Sequence, residues 1–451
     1  MNLRNFMERI TSSFAGRVLG NSSWGVASNI VTILTGLLQI GLVTRALGVE
    51  QYGILAVIVA FPTMIQQFAG FRTWEMVARY SAASLHADRG DEAGHIAQLG
   101  WLIDSLIGFV SFVAVWIAGA AYLQATLAST SYLPLLHFYS FAVLIMVPVS
   151  TAQALLRVLD QFHLLFIQSI IANLLRLTFV TIAYFSGTGL VGILTAYLAA
   201  SVANAVTSLV FCLWKARGHV IFTHWFSAWT YVRMNRRNLS SFLSAGYVEA
   251  SILAFARNLD IMLVANMGGA EQAGYYRAAQ SLVTMFAGFL TPMVNAVLPD
   301  LQRSISLPAD VLRRRLWSLT AMSSSIYIPG ALVLTLLAPW LVIVIMGPTF
   351  APAAAPAQIM LWGTALAGTF FWVPALLLVQ DRQWVRTGVL MAAVVCQFVF
   401  LYLLVPMFGA IGAAIAYLSL HTVFNFGLLL SLIRRGAPSQ RLRSGSHTQV
   451  G

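Results

Sequence analysis

Five ionisable residues sit in otherwise apolar stretches of this chain and could do chemistry there: Arg176, Arg257 and Arg277, with Glu249 and Asp260. A guanidinium stays charged and presents forked donors that match phosphate or carboxylate oxygens. A carboxylate in a lipid-facing stretch can exchange a proton. Placed at the centre of a membrane span, each such group costs about 2.5–3.5 kcal/mol, so each needs a partner or a wet cavity. Glu249 and Asp260 are nearly eclipsed on a helix, and Arg257 is one turn before Asp260, so the three share a stripe. Two readings stand. The stripe faces a lumen, binds an anion through Arg257 and changes protonation at Glu249 or Asp260. Alternatively, Arg257 and Asp260 form a buried pair that ties helices together.

Arg176 lies midway along its apolar run, one turn from Asn173. It either binds the same anion or serves as an interhelical tie. Arg45 and Arg277 lie towards one membrane face, where they meet the ligand or anchor at headgroups. Asn29, Thr32, Gly36 and Gln39 follow helical spacing along one face. That stripe fits a polar lumen wall, although small polar residues also glue helices together. Asp104 reads as a locally capped or paired acid. His421 reads as a packed histidine, and Cys212 and Cys396 as packing residues. No phosphate-cradling Gly-Lys-Ser loop and no His/Cys cluster at metal spacing is present in the sequence. The expectation is therefore no catalytic residue, no metal and no cofactor: the protein reads as a non-enzyme.

The elements that must position these groups are long and greasy. Of 451 residues, 59% are hydrophobic and 9% charged, against roughly 25% charge in a soluble domain. Twelve apolar runs are long enough to cross a bilayer, at roughly 22–44, 54–72, 98–123, 134–156, 164–185, 190–214, 241–266, 274–298, 317–346, 356–379, 384–405 and 410–433. The ninth is interrupted by Pro329 and Pro339 and reads as kinked or partly re-entrant. The sequence also repeats. The turn Thr44-Arg45-Ala46-Leu47-Gly48-Val49-Glu50-Gln51-Tyr52-Gly53 has a second copy in Met267-Gly268-Gly269-Ala270-Glu271-Gln272-Ala273-Gly274-Tyr275-Tyr276. Gly189, Gly192, Ala196, Tyr197 and Leu198 recur as Gly409, Gly412, Ala416, Tyr417 and Leu418. Leu155-Leu156 before Asp160 recurs as Leu377-Leu378 before Asp381. Three landmarks in one order at nearly one offset predict an internal duplication of half the chain.

The expected fold is an all-α polytopic membrane protein of about twelve transmembrane helices, arranged as two parallel six-helix repeats around a central cavity. The expected organisation is an amphipathic interfacial segment at 1–21, a first bundle at 22–214, a linker at 215–240, a second bundle at 241–433 and a tail at 434–451. Of the 26 Lys and Arg, Arg176, Arg257 and Arg277 belong to spans and Arg45 to a loop on one side; the others fall in loops, tails and span ends on the opposite side. By the positive-inside bias that side is cytoplasmic and both termini lie there. The net charge of +12 is then topological rather than a nucleic-acid footprint, which would gather on one soluble face. No cleavable leader is expected from the N-terminal residues.

The amphipathic start and polar-striped first span precede Arg45-Ala46-Leu47-Gly48 with Tyr52-Gly53. Asn258-Leu259-Asp260 and Gly274-Tyr275-Tyr276 follow later. This pattern resembles the Wzx-type polysaccharide flippases of the multidrug/oligosaccharidyl-lipid/polysaccharide exporter superfamily, over roughly 22–433. The resemblance implies two six-helix bundles around a cavity open to one side at a time. It implies a substrate of undecaprenyl-diphosphate-linked oligosaccharide repeat units, moved from the inner to the outer leaflet of a bacterial cytoplasmic (inner) membrane for lipopolysaccharide or exopolysaccharide synthesis. Expected partners are that lipid-linked substrate and membrane lipids, with a polysaccharide polymerase and chain-length proteins as further candidates. Asp260 matches the family's common Asp on the seventh span, and Arg45 with Gly48–Gly53 matches a structural turn. The alternative is a cation-coupled, multidrug-type exporter of small molecules from the same superfamily. A membrane enzyme such as a polymerase would need polar catalytic loops, which the short predicted outer loops do not supply.

Overall fold

The computed structural model describes residues 14–69, 73–87, 89–217, 225–288, 297, 301, 308–380 and 382–433. Among them the secondary structure is helical, without a strand. The helices run α1 (Phe14–Ala69), α2 (Thr73–His86), α3 (Gly90–Leu127), α4 (Leu133–Ile145), α5 (Val147–Val158), α6 (Phe162–Phe185) and α7 (Gly189–Ala216). They continue as α8 (Trp225–Ala287), α9 (Ala309–Met346), α10 (Ala354–Thr369), α11 (Trp372–Val379), α12 (Gln383–Phe408) and α13 (Ala410–Ile433). Nine helical stretches among the described residues are long and apolar enough to cross a membrane. The interfacial segment at 1–21 and the tail at 434–451 lie wholly or largely outside the described residues, as does part of the 215–240 linker.

The duplication is present in the backbone. α4, α6 and α7 begin at Leu133, Phe162 and Gly189, and α10, α12 and α13 begin at Ala354, Gln383 and Ala410, each pair 221 residues apart. α5 and α11 end at Val158 and Val379, the same distance apart. The tight turns match as well. Gln161 donates its backbone N–H to Leu156 O at 2.9 Å, and Arg382 donates to Leu377 O at 2.9 Å.

The two turn motifs are single-residue breaks rather than loops. α1 contains Gly48 at φ 70, ψ −179, and α8 contains Gly269 at φ 82, ψ 174. Only glycine occupies this region readily, because a Cβ would clash with its own backbone. The first and second predicted spans are therefore two limbs of α1, and the seventh and eighth are two limbs of α8. Gln272, in the second motif, caps α13: its Oε1 accepts the Ala410 N–H at 2.9 Å. Two of the three sequence landmarks thus touch.

The fourth and tenth predicted spans are each split, at Met146 and at Phe370–Phe371. Pro148 and Pro374 follow the breaks, and a proline cannot supply the N–H that would continue the ladder. The ninth span runs as one helix through Pro329 and Pro339 and stops at Gly347, where φ is 104.

Burial follows the ends of the bundle. At the end carrying the Gly48 and Gly269 turns, one apolar cluster joins both halves, from Val43, Ile58 and Ile193 to Val264, Val342, Phe350 and Ala414. At the opposite end the halves have separate clusters. One is built on Met76, Ile96, Leu155 and Cys212, the other on Trp372, Val373, Leu377 and Leu428.

Candidate functional site

Arg176 stands on α6, where the run from Phe162 to Phe185 has no other charged residue after His163. Its guanidinium lies 4.2 Å from the ring centroid of Tyr197 on α7, a cation–π contact. Its Nε is buried without a hydrogen-bond partner, and no carboxylate pairs with it among the described residues. The side chain is half-buried. Tyr52 of α1 lies within electrostatic range of Arg176, Arg277 and Tyr197. Tyr139 of α4 is within range of the same three. Arg176 of the first half and Arg277 of the second therefore both act electrostatically on Tyr52 and Tyr139.

Arg277 is tethered rather than free. It donates to Gln280 Oε1 at 2.7 Å, and Gln280 Nε2 donates to Asp260 Oδ2 at 3.3 Å. Asp260 is 1% exposed. The Tyr276 hydroxyl donates to its Oδ2 at 2.6 Å and the Ile261 N–H to its Oδ1 at 2.6 Å. A buried carboxylate without such donors would be heavily penalised in a bilayer. The break at Gly269 makes the network possible, because it folds the second limb of α8 back so that Tyr276 and Gln280 reach Asp260 on the first.

The remaining sequence candidates distribute as follows. Gln39 is buried and donates to the Asn173 carbonyl at 3.3 Å, while Asn173 donates to Thr32 Oγ1 at 3.1 Å. These bonds fasten α1 to α6. Asn29 is half-buried on the same limb. Arg45 is exposed at the turn end and donates to Val344 O at 2.6 Å. The side chains of Glu249 and Arg257 lie outside the described residues. Asp104 accepts hydroxyls from Thr73, Ser150 and Thr151. His421 packs edge-on against Tyr417, with ring centroids 4.6 Å apart.

Residue-type reasoning missed Tyr197, Tyr139, Gln280 and Gln397. Gln397 occupies in α12 the position of Arg176 in α6, 221 residues earlier. It is 1% exposed, and neither its Oε1 nor its Nε2 has a partner. Asp260 is likewise the counterpart of Gln39. The two repeats thus place different chemistry at equivalent points: a guanidinium in the first, a carboxylate and an unbonded amide in the second. Aligning the repeats at the interval of the turn motifs would have found these pairs.

A duplicated, all-helical bundle with long apolar helices and charged groups within them is the architecture of a multi-pass membrane protein. The chain belongs to the family described as "Polysaccharide biosynthesis protein", which matches residues 18–304. Its fold resembles that of a multidrug resistance MATE family transporter of the MOP superfamily in an inward-facing conformation. The TM-score is 0.73 at 14% identity, over 92% of this chain and 98% of that one. It also resembles the lipid II flippase MurJ in an inward closed conformation, with a TM-score of 0.69 at 13% identity over 90% of this chain and 87% of that one. A MOP superfamily transporter from Pyrococcus furiosus gives 0.65 at 15% identity, over 95% and 97%. Among curated proteins, the inner membrane protein YghQ of Escherichia coli (strain K12) is 24% identical over 168 residues, 37% of this chain. The match spans about half (47%) of YghQ's length.

Proposed function

We propose that this protein is a flippase for undecaprenyl-diphosphate-linked oligosaccharide repeat units. It moves them from the inner to the outer leaflet of a bacterial cytoplasmic membrane by alternating access, with both termini cytoplasmic. The two bundles, 22–214 and 241–433, act as the rocking bodies, joined by the 215–240 linker. The observation that carries the reading is the Arg176 guanidinium, held on the Tyr197 face without an acidic partner among the described residues. A diphosphate headgroup cannot enter hydrocarbon unaided, and a guanidinium fork pairs its oxygens while the polyprenyl tail stays in lipid. Arg277 and Arg257 supply further positive charge, and Asn29 sugar contacts. Gln39 and Arg45 are occupied by protein carbonyls and act as structural residues in this reading.

Asp260 is the coupling group, with Glu249 on the same helix. Gln280 bridges it to Arg277. Loss of the Asp260 charge would remove the acceptor that fixes Gln280 and so release Arg277 towards the headgroup. A polymerase and chain-length proteins would consume the product.

The second reading, a cation-coupled exporter of small molecules, is favoured by the same buried Asp260 network. The test that separates them is a chromosomal deletion. The flippase predicts undecaprenyl-linked units trapped on the cytoplasmic face and loss of surface polysaccharide, restored by the parent gene and not by Arg176→Ala at equal protein level. Normal polysaccharide together with a changed drug-sensitivity profile would favour the exporter.

A further inference from the structure

The two halves meet at the turn end through contacts that are reciprocal. Gly53 of α1 lies against the Ala270 carbonyl of α8, where an added Cβ would stand 1.8 Å from the oxygen. Gly274 of α8 lies against the Val49 carbonyl of α1, where an added Cβ would stand 2.3 Å away. Gly53 and Gly274 are repeat counterparts, and so are Val49 and Ala270. A second reciprocal pair flanks the first. Arg45 donates to the Val344 carbonyl of α9, and its counterpart Asn266 donates to the Ala125 carbonyl of α3. Val344 and Ala125 are each the third residue from the end of their helices. Carbonyls in a last turn have no intrahelical donor, so they are open to a side chain or to water.

We propose that these four contacts form a gate that holds the turn end shut and opens as one unit during transport. Equivalent surfaces meeting about a pseudo-two-fold axis are made and broken together, because one rotation separates both copies. The glycines let backbone meet backbone without side chains to interdigitate, so the seam parts cleanly. The released carbonyls of α3 and α9 take water in place of Arg45 and Asn266, which keeps the open form accessible. Tyr52 backs the seam, edge-on to Phe350 at 5.8 Å between centroids and 3.3 Å from Ser281 Oγ. Towards the far end the described residues of the two halves form separate apolar clusters, with the Asn258 amide donating to Gln67 Oε1 between them. This inference rests on the alternating-access part of the proposed function and not on the identity of the cargo.

The test is thiol accessibility in the full-length protein. Ser281→Cys is introduced with Cys212→Ser and Cys396→Ser, and a membrane-impermeant maleimide is applied to vesicles of both orientations. In the parent, labelling from the turn side is slow. Arg45→Ala with Asn266→Ala removes two hydrogen bonds and should speed it roughly tenfold, with each single change giving less. Gly53→Val should speed it further, because the seam can no longer close. Should Gly53→Val fail to fold, the Arg45/Asn266 pair still decides, since both side chains are exposed. Equal labelling rates in parent and double variant, both monodisperse on gel filtration, would overturn the gate. Faster labelling in the double variant, together with normal polysaccharide in the deletion strain, would leave the gate standing and remove the flippase reading. Unchanged labelling alongside loss of export in Arg176→Ala would do the reverse.

Discussion

Arg176 and Gln397 hold the same place in the two repeats, 221 residues apart, and both are left under-bonded by the protein around them. Arg176 has the face of Tyr197 at 4.2 Å and a buried Nε without an acceptor. Gln397 is buried with neither amide atom satisfied. Folded proteins pair nearly all buried polar groups; these two stand at equivalent points of the repeats, among several buried side-chain atoms without a partner.

Substituting Arg176 should separate function from folding. A cation–π contact at a partly exposed site contributes about 0.5–1 kcal/mol, so Arg176→Ala should shift the melting temperature little. Charge-assisted hydrogen bonds to a ligand are worth roughly 1.5–3 kcal/mol, so export should fall about tenfold or more. Arg176→Lys keeps the charge but loses the fork and should fall between. Polymer export measured beside protein level checks all three.

Gln397→Leu should be neutral or stabilising. The amide atoms make no hydrogen bond in place, and an unsatisfied buried polar group costs about 1–3 kcal/mol. Thermal unfolding in detergent reads this directly. A clear fall in melting temperature would show that the amide has a partner in the membrane.

Asp260→Ala should destabilise by roughly 1–3 kcal/mol, because it strands the Tyr276 hydroxyl and the Gln280 amide. Asp260→Asn keeps the volume and an acceptor oxygen and should fold. If Asp260 couples transport, Asp260→Asn still loses export. Gln280→Leu, which cuts the bridge to Arg277, should lose part of the export and leave Asp260 held by Tyr276 and Ile261. Paired melting and export measurements distinguish these outcomes.

Gly48→Ala and Gly269→Ala should destabilise by similar amounts, about 1–3 kcal/mol each, because both residues hold a backbone conformation that a Cβ strains. Nothing crowds a Cβ at either position, so the effect isolates backbone strain. Markedly unequal losses would contradict the equivalence of the two breaks.

The fold was legible where physics restricts residue type. Gly48, Gly269, Gly189 and Gly409 all adopt positive φ, and that requirement preserves the glycines that betray the duplication. The apolar runs were legible because a bilayer sets their length. The site was only partly legible. Arg176 and Asp260 stood out as charges in apolar runs. Tyr197, Gln280 and Gln397 did not, because an aromatic or an amide in a span is ordinary until its neighbours are known. The role of Arg45 was hidden for another reason: its partner is the backbone oxygen of Val344, and a carbonyl leaves no mark on sequence. The stretches around Gly48 and Gly269 read in the sequence as short turns, and the structure narrows each turn to a single glycine.

In the proposed function, the Arg176 guanidinium holds an anionic headgroup. Equilibrium binding of an undecaprenyl-diphosphate saccharide to the purified protein and to Arg176→Ala, at matched detergent and salt, tests it most directly. Binding should be saturable and salt-sensitive, and should weaken by about tenfold or more in the variant. Equal affinity in parent and variant, with both proteins folded, would contradict it.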